Sequence, residues 1–427
     1  MDNKAQALLS FLDASHSVYH AVASLADILL KNGYQPLQES DTWELTPGGK
    51  YYVVRNGSAV LAFRVPQNTP TGFLISASHG DRPTFKVKEH GELSGAYTRL
   101  AVERYGGMLI APWLDRPLSV AGRVLVETED GIESHLVDID RDLLLIPNVA
   151  IHMNRKANEG YAWNPAVDTL PLMGSKEAAG KFWTLIEEAA GGKILGHDLY
   201  LYIRQKGCCW GMDEEFISSA ALDDLECAWG CTQGFLNSTP SDAIPVLCVF
   251  DSEEVGSGSL QGAASDFLQS ALLRICAALH ISEKQMYAQS FLISADNAHA
   301  LHPNHPEYAD SANAPIINQG VVLKFNANQR YTTDGVSAAI FRKLCAKAGI
   351  PVQTYCNRAD MAGGSTLGNV SLGQVAVPSV DIGLAQLAMH SCYETAGVKD
   401  IEYLEQVMTV FYSSTYLHQQ DGTYTLK

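Results

Sequence analysis

Residues Pro245-Val-Leu-Cys-Val-Phe-Asp-Ser-Glu-Glu-Val-Gly-Ser-Gly-Ser259 decide how the fold is read. Val246 to Phe250 make a short, unbroken apolar run of the kind that forms a fully buried strand. It gives way at once to Asp251, Glu253 and Glu254, with Gly256 and Gly258 behind them. A buried strand is a rigid base, and the loop at its end is where such a base presents chemistry. Glu253 and Glu254 repel each other there, at a cost that a bound cation removes. Side chains of neighbouring residues point apart, so one carboxylate could ligate a metal while the other handles a proton. An acidic turn facing a helix N-terminus would look the same in isolation.

The flanking sequence sets the architecture. After residue 216, strands are expected at 245–250, 289–294, 320–325, 351–355 and 377–382, and helices at 223–237, 260–280, 334–348 and 401–418. This alternation predicts an α/β fold, a mostly parallel sheet with helices on both faces. Upstream, the helical spacing of Leu8, Leu9, Leu12, Val18, Val22, Leu25 and Leu29 predicts helix across 4–32, interrupted or recapped between Asp13 and Ser17. Residues 48–65 read as a hairpin about Asn56-Gly57, and 72–79 as another buried strand, ending in His79-Gly80-Asp81. Between about 86 and 215 short alternating strands dominate, apart from a helix near 175–190. This marks an inserted β-rich domain, 86–215, inside a domain built from 1–85 and 216–427. A chain of 427 residues exceeds the usual size of a single core.

Composition narrows the function. Hydrophobic content of 46% with 18% charged residues is that of a globular protein. A formal charge of −17 argues against nucleic acid or an anionic membrane as partner, because phosphates are repelled overall. No apolar run approaches the ~20 residues that a membrane span requires. The first ten residues lack the basic and apolar segments of a secretion signal, and the nine cysteines are scattered, including Cys208-Cys209 and Cys227-x-x-x-Cys231. Reduced thiols and a cytoplasmic location are therefore expected.

Metal-ligand residue types recur beside apolar runs or at expected helix starts. They are His79 and Asp81, Asp223 and Asp224, Glu253 and Glu254, Asp296, and His390. Imidazole with carboxylate suits zinc, with manganese or cobalt as alternatives. Each residue taken singly also has an ordinary explanation as a cap, a dipole partner or a core histidine. Their wide separation in sequence gives no fixed offset that would group them.

Seven blocks group them by likeness. In order they are 79-HGDRP-83, 146-IPNVAIHMNR-155, 222-LDDL-225, 250-FDSEEVGSGS-259, 294-SADNAHALHP-303, 323-LKFNANQRY-331 and 386-QLAMHS-391. This ordered set resembles the aspartyl aminopeptidase family of di-zinc metallopeptidases, zinc exopeptidases by fold. The resemblance implies two divalent metal ions, bridged by Asp223 and held by His79, Glu254, Asp296 and His390. It implies Glu253 as general base, Asp81 orienting His79, and His152 reaching a neighbouring subunit's active site to stabilise the oxyanion. Asp224 is the alternative bridge. Lys324, Met361 and His302 would line the substrate pocket, with Lys324 pairing an acidic N-terminal side chain. The insert would mediate dimerisation, and dimers would build a tetrahedral twelve-subunit shell. The resulting expectation is removal of the N-terminal residue from peptides, with acidic residues preferred. Arg82 and Cys392-Tyr393 depart from the family's usual residues. Competing readings are a carboxypeptidase or deacylase using the same metals, and a non-catalytic shell protein. Gly256-x-Gly258 is not a dinucleotide fingerprint, since Gln261 stands where the third glycine belongs.

Overall fold

The apolar run becomes the strand Ile244–Phe250, buried at every residue, inside a nine-stranded sheet. The computed structural model describes residues 3–364, 366–419 and 422–427. Across the sheet the strands run Gln35–Leu37, Lys50–Arg55, Ala59–Arg64, Ile244–Phe250, Phe73–His79, Phe291–Ala295, Ser379–Gly383, Val321–Phe325 and Val352–Cys356. Five of these eight neighbouring pairs are parallel, so the sheet is mixed but mostly parallel. Its central strands are apolar on both faces because helices cover both.

Register carries these strands to the site. In the parallel pair, Phe250 lies opposite His79, so two strands end side by side. The next strand, Phe291–Ala295, pairs Ser294 with Ala77 and delivers Asp296 at the same edge. Polar residues that follow each apolar run therefore gather at the carboxyl ends of adjacent parallel strands, where open α/β sheets hold ligands.

Most expected elements form, and the shifted boundaries have local causes. The N-terminal helix is two helices, Asn3–Asp13 and Val18–Lys31, with Ser17 capping the second through the His20 amide. The helix expected from 260 starts at Phe267. Before it, Gly262 packs so tightly on the Ser257 carbonyl that a Cβ would sit 2.3 Å from that oxygen, and the chain turns instead of coiling. The last long helix, Val398–Tyr412, stops short of 418 because Tyr416–His418 pairs with Tyr424–Leu426.

A second sheet, six-stranded and antiparallel, takes strands from Thr84 to Ile203 and has its own core around Phe85, Trp113, Phe182 and Leu199. Helix Lys181–Ala190 belongs to that core through Phe182 and Ile186.

The helix Leu222–Asn237 carries Asp223 and Asp224 at its start and lies against Val398–Tyr412. Gly230 and Gly234 permit that approach. A Cβ at Gly234 would fall 2.4 Å from Met408 Cβ and 2.9 Å from its backbone carbon. Gly234→Ala is expected to destabilise by about 1–3 kcal/mol through overpacking, despite alanine's better helix propensity. An unchanged or higher denaturation midpoint would contradict the close approach.

Candidate metal centre

Asp223 lies between two imidazoles. Its Oδ1 is 3.6 Å from His79 Nε2, and its Oδ2 is 3.5 Å from His390 Nε2. His390 Nε2 is also 3.3 Å from Glu254 Oε2. Ligand atoms of His79, Asp223 and Glu254 all fall within 4.8 Å of one another, as do those of Asp223, Asp224 and Asp296. The two groups share Asp223. Glu253 is half-buried beside them and belongs to neither.

Tight backbone geometry sets these side chains. Ala221, Ser252 and His390 adopt left-handed backbone, with φ of 60°, 64° and 65°, at or within two residues of candidate ligands. Each costs a non-glycine residue about 1 kcal/mol or more and persists only where neighbours over-determine it. Asp81 is one such neighbour. It accepts the Glu253 and Glu254 amides at 3.1 and 3.2 Å, and its Oδ1 is 3.3 Å from His79 Nδ1. Glu394 is another, accepting the Asp223 amide at 3.0 Å and the His390 amide at 2.7 Å.

The electrostatics suit a cation. Burial would push the His79 imidazolium down, but Asp223 and Asp81 outweigh it and hold the ring well above its ordinary value. Burial raises the carboxyl of Glu254, with Asp223 adding to the rise, and it also raises those of Asp224 and Asp296. Glu253 rises to about 7, through burial first and then Asp296, Asp81 and Asp223. Asp223 moves the other way: burial would raise it, but His390 and His79 hold it low. Asp223 Oδ1, Asp224 Oδ1 and Glu254 Oε1 are buried without a hydrogen-bond donor. Unpaired buried carboxylate oxygens are expensive, and a divalent cation satisfies them. The donor set, two imidazoles among carboxylates, fits zinc.

The remaining site expectations meet different outcomes. Met361 and His302 line a cleft of about 320 Å³, together with His299, His305 and Arg358. Lys324 does not line it. Its ammonium is buried and donates to the carbonyls of Asp296 and Asn297 at 2.7 and 2.9 Å, 3.5 Å from Asp296 Oδ1. Its charge is thus taken up by the segment that carries a candidate ligand, and pairing with substrate needs a different conformation. His152 is exposed in a loop of the second sheet's unit. Asp224 takes the His79 amide at 3.2 Å, and it is Asp223 that lies between the imidazoles. Arg82, unusual in its motif, reaches the Ser15 carbonyl at 2.7 Å. Sequence reasoning missed Glu394. Its one signal was a carboxylate four residues after His390.

The sequence matches the family described as Aminopeptidase I zinc metalloprotease (M18) over residues 11–412. The chain belongs to the M18 family of zinc aminopeptidases. A relative from Clostridium acetobutylicum, named as an M18 family aminopeptidase 2, is 41% identical over 425 residues, spanning 96% of this chain and 98% of its own. One from Pseudomonas paraeruginosa with the same name is 40% identical over 429 residues, at 96% and 98%. The solved structure of Ape4 in complex with Nbr1 superimposes with a TM-score of 0.93 at 35% identity, covering 96% of this chain and 85% of that one. The S. cerevisiae mApe1 dodecamer gives 0.83 at 27%, covering 95% of each. The M18 chain is thus a metallopeptidase, a hydrolase with zinc as its cofactor. None of its described helices is long and apolar enough to cross a membrane.

Proposed function

We propose that this M18 chain removes N-terminal residues from peptides at a two-metal centre, with Glu253 carrying the proton. The observation that supports this reading is Asp223, one carboxylate set between His79 and His390 with a different oxygen toward each. Divided by the Asp223 oxygen that each imidazole faces, one site would comprise His79, Asp223 and Asp296 and the other Asp223, Glu254 and His390. His79 also lies within reach of Glu254, and Asp224 also clusters with Asp296. Zinc bound there would act as a Lewis acid, acidifying water and polarising the scissile carbonyl.

The chain's own groups do the rest. Glu253 takes the proton of the attacking water and returns it to the leaving amine. Its carboxylate is kept out of the ligand groups by the turn that Asp81 fixes through the Glu253 and Glu254 amides. Asp81 faces His79 Nδ1, leaving Nε2 toward Asp223. The cleft supplies the peptide's place. In a chain of charge −17 its lining holds three histidines and one arginine, and among the described residues no carboxylate lines it. At its edge Asp360 pairs with Arg358 and Glu307 with His305. Burial lowers His299, so the lining offers hydrogen-bond donors more than net positive charge, and a preference for acidic N-terminal side chains rests on those donors. Aminoacyl reporters with Asp or Glu should be cleaved faster than those with Ala or Lys, with chelation abolishing all of it. Trimming from the carboxyl end would refute the aminopeptidase assignment.

His152 is proposed to act in a partner's active site. Val149, Ile151, Met153 and Val167 are exposed near it, an apolar surface that a second copy would cover, and the related mApe1 is a dodecamer. His152→Ala should lower kcat about 100-fold, the size of a lost oxyanion contact, while the zinc content stays unchanged. Wild-type kcat would sink the role. A chain that stays monomeric in sedimentation velocity would sink it as well.

A further inference from the structure

Tyr105, Gly106, Gly107 and Leu109 run from the second sheet directly onto the candidate metal centre. Tyr105 ends the strand Tyr97–Tyr105, and its hydroxyl donates to Asp81 Oδ2 at 2.8 Å. Gly106 follows at φ 75°, where a Cβ would sit 3.1 Å from Glu254 Cβ and 3.3 Å from the Glu254 carbonyl oxygen. The Gly107 carbonyl accepts His390 Nδ1 at 2.5 Å, and the Leu109 amide donates to the His390 carbonyl at 3.0 Å. One short stretch thus touches Asp81 and Glu254, which follow two strands of the first sheet, and His390, which lies in the loop between Gln386 and Glu394.

We propose that residues 105–109 form a positioning strap for the metal centre, with Tyr105 and the Gly107 carbonyl as its working parts. The inference rests on reading His390 and Glu254 as ligands. An imidazole ligates through its unprotonated nitrogen, and an acceptor on the other N–H fixes which nitrogen that is and how the ring is turned. Gly107 holds the Nδ1 proton, which turns Nε2 toward Asp223 and Glu254. His390 also sits in left-handed backbone, which the Leu109 amide and Glu394 help to hold. Tyr105 acts on the other side of the site. Asp81 already faces His79 and takes the Glu253 and Glu254 amides, and the Tyr105 hydroxyl fixes its remaining freedom. Burial, with Asp81 adding to it, keeps that phenol well above its ordinary value, so it serves as a donor. Gly106 is required because a side chain there would push on Glu254. The inserted sheet is in this view part of the metal centre's frame as well as a candidate contact surface.

The ring of Tyr105 packs edge-on against Tyr200 at 5.6 Å, a contact that phenylalanine preserves. Tyr105→Phe therefore removes the hydroxyl and little else. The test compares wild type, Tyr105→Phe, Gly106→Ala and the exposed same-strand control Tyr97→Phe. Zinc affinity is read by competition with a chromophoric chelator, the cobalt-substituted proteins by their visible spectra, and folding by the melting curve of the metal-free protein. His390→Ala checks the ligand reading separately. Tyr105→Phe should melt as wild type yet bind zinc about 10-fold more weakly or worse, with an altered cobalt spectrum. Gly106→Ala should be weaker still, and Tyr97→Phe unchanged. If Gly106→Ala does not fold, Tyr105→Phe alone decides. Wild-type affinity and spectrum in Tyr105→Phe, beside a loss in His390→Ala, would overturn the strap and leave the ligand reading intact. Wild-type affinity in His390→Ala would overturn both.

Discussion

Glu253→Gln is expected to retain its zinc and lose about 1,000-fold in kcat, the scale of a missing general base. The amide has nearly the shape of the carboxylate but cannot accept a proton, so binding and catalysis separate in this variant. Glu253 stands half-buried beside the two ligand groups without joining either. Its neighbour Glu254 is aimed the other way, 3.3 Å from His390 Nε2. That divergence follows from adjacent positions on one short turn whose two amides are both held by Asp81. Metal content by mass spectrometry and steady-state kinetics on the same preparation check the result. Zinc lost together with activity would mean that Glu253 is a ligand.

Asp223→Ala is expected to have the larger structural consequence. Asp223 belongs to both ligand groups, so its removal should weaken both sites together, whereas Asp296→Ala should spare the site formed with Glu254 and His390. A ligand that binds only the folded chain stabilises it by roughly 4 kcal/mol at 1,000 times its dissociation constant. Added zinc should therefore raise the melting temperature of metal-free wild type by several degrees, about 2–4 °C per kcal/mol or less at this chain length, and leave Asp223→Ala unmoved. A variant that still takes up both metals would remove Asp223 from the shared position and return Asp224 to consideration.

Much of this site could be read from the chain because strands end where apolar runs end. Val246–Phe250 and Phe73–Ser78 are apolar or small throughout and stop at charged residues, so the sequence exposes both strand termini and their cargo. The nearness of those termini was not readable. It comes from parallel pairing that sets Phe250 beside His79, 171 positions apart in sequence, and no local pattern encodes it. Likeness to a family supplied the grouping that spacing could not. The misjudged helix start at 260 has the same origin, since Gly262 turns the chain through contact with Ser257 where periodicity alone would continue it.

Other parts were invisible for chemical reasons. Lys324 was expected to face substrate because a lysine near a cleft suggests a counter-charge. Burial instead turns its ammonium onto the Asp296 and Asn297 carbonyls, which take two of its three donors. Glu394 works through two backbone amides, and Gly107 through a carbonyl that every residue possesses. Side-chain identity does not announce either role. Tyr105 belongs to a stretch that reads only as alternating strand, and its hydroxyl reaches Asp81 because Tyr105 pairs with Thr84, three residues further along the chain from Asp81.

Asp223 is proposed to serve two metal ions at once with a single carboxylate. Anomalous scattering from crystals grown with zinc, collected on both sides of the zinc edge, tests it most directly. Two peaks are expected in one cavity, one against His79 and Asp296, the other against Glu254 and His390, and both in contact with Asp223. A single peak, or two peaks that do not share Asp223, would contradict it.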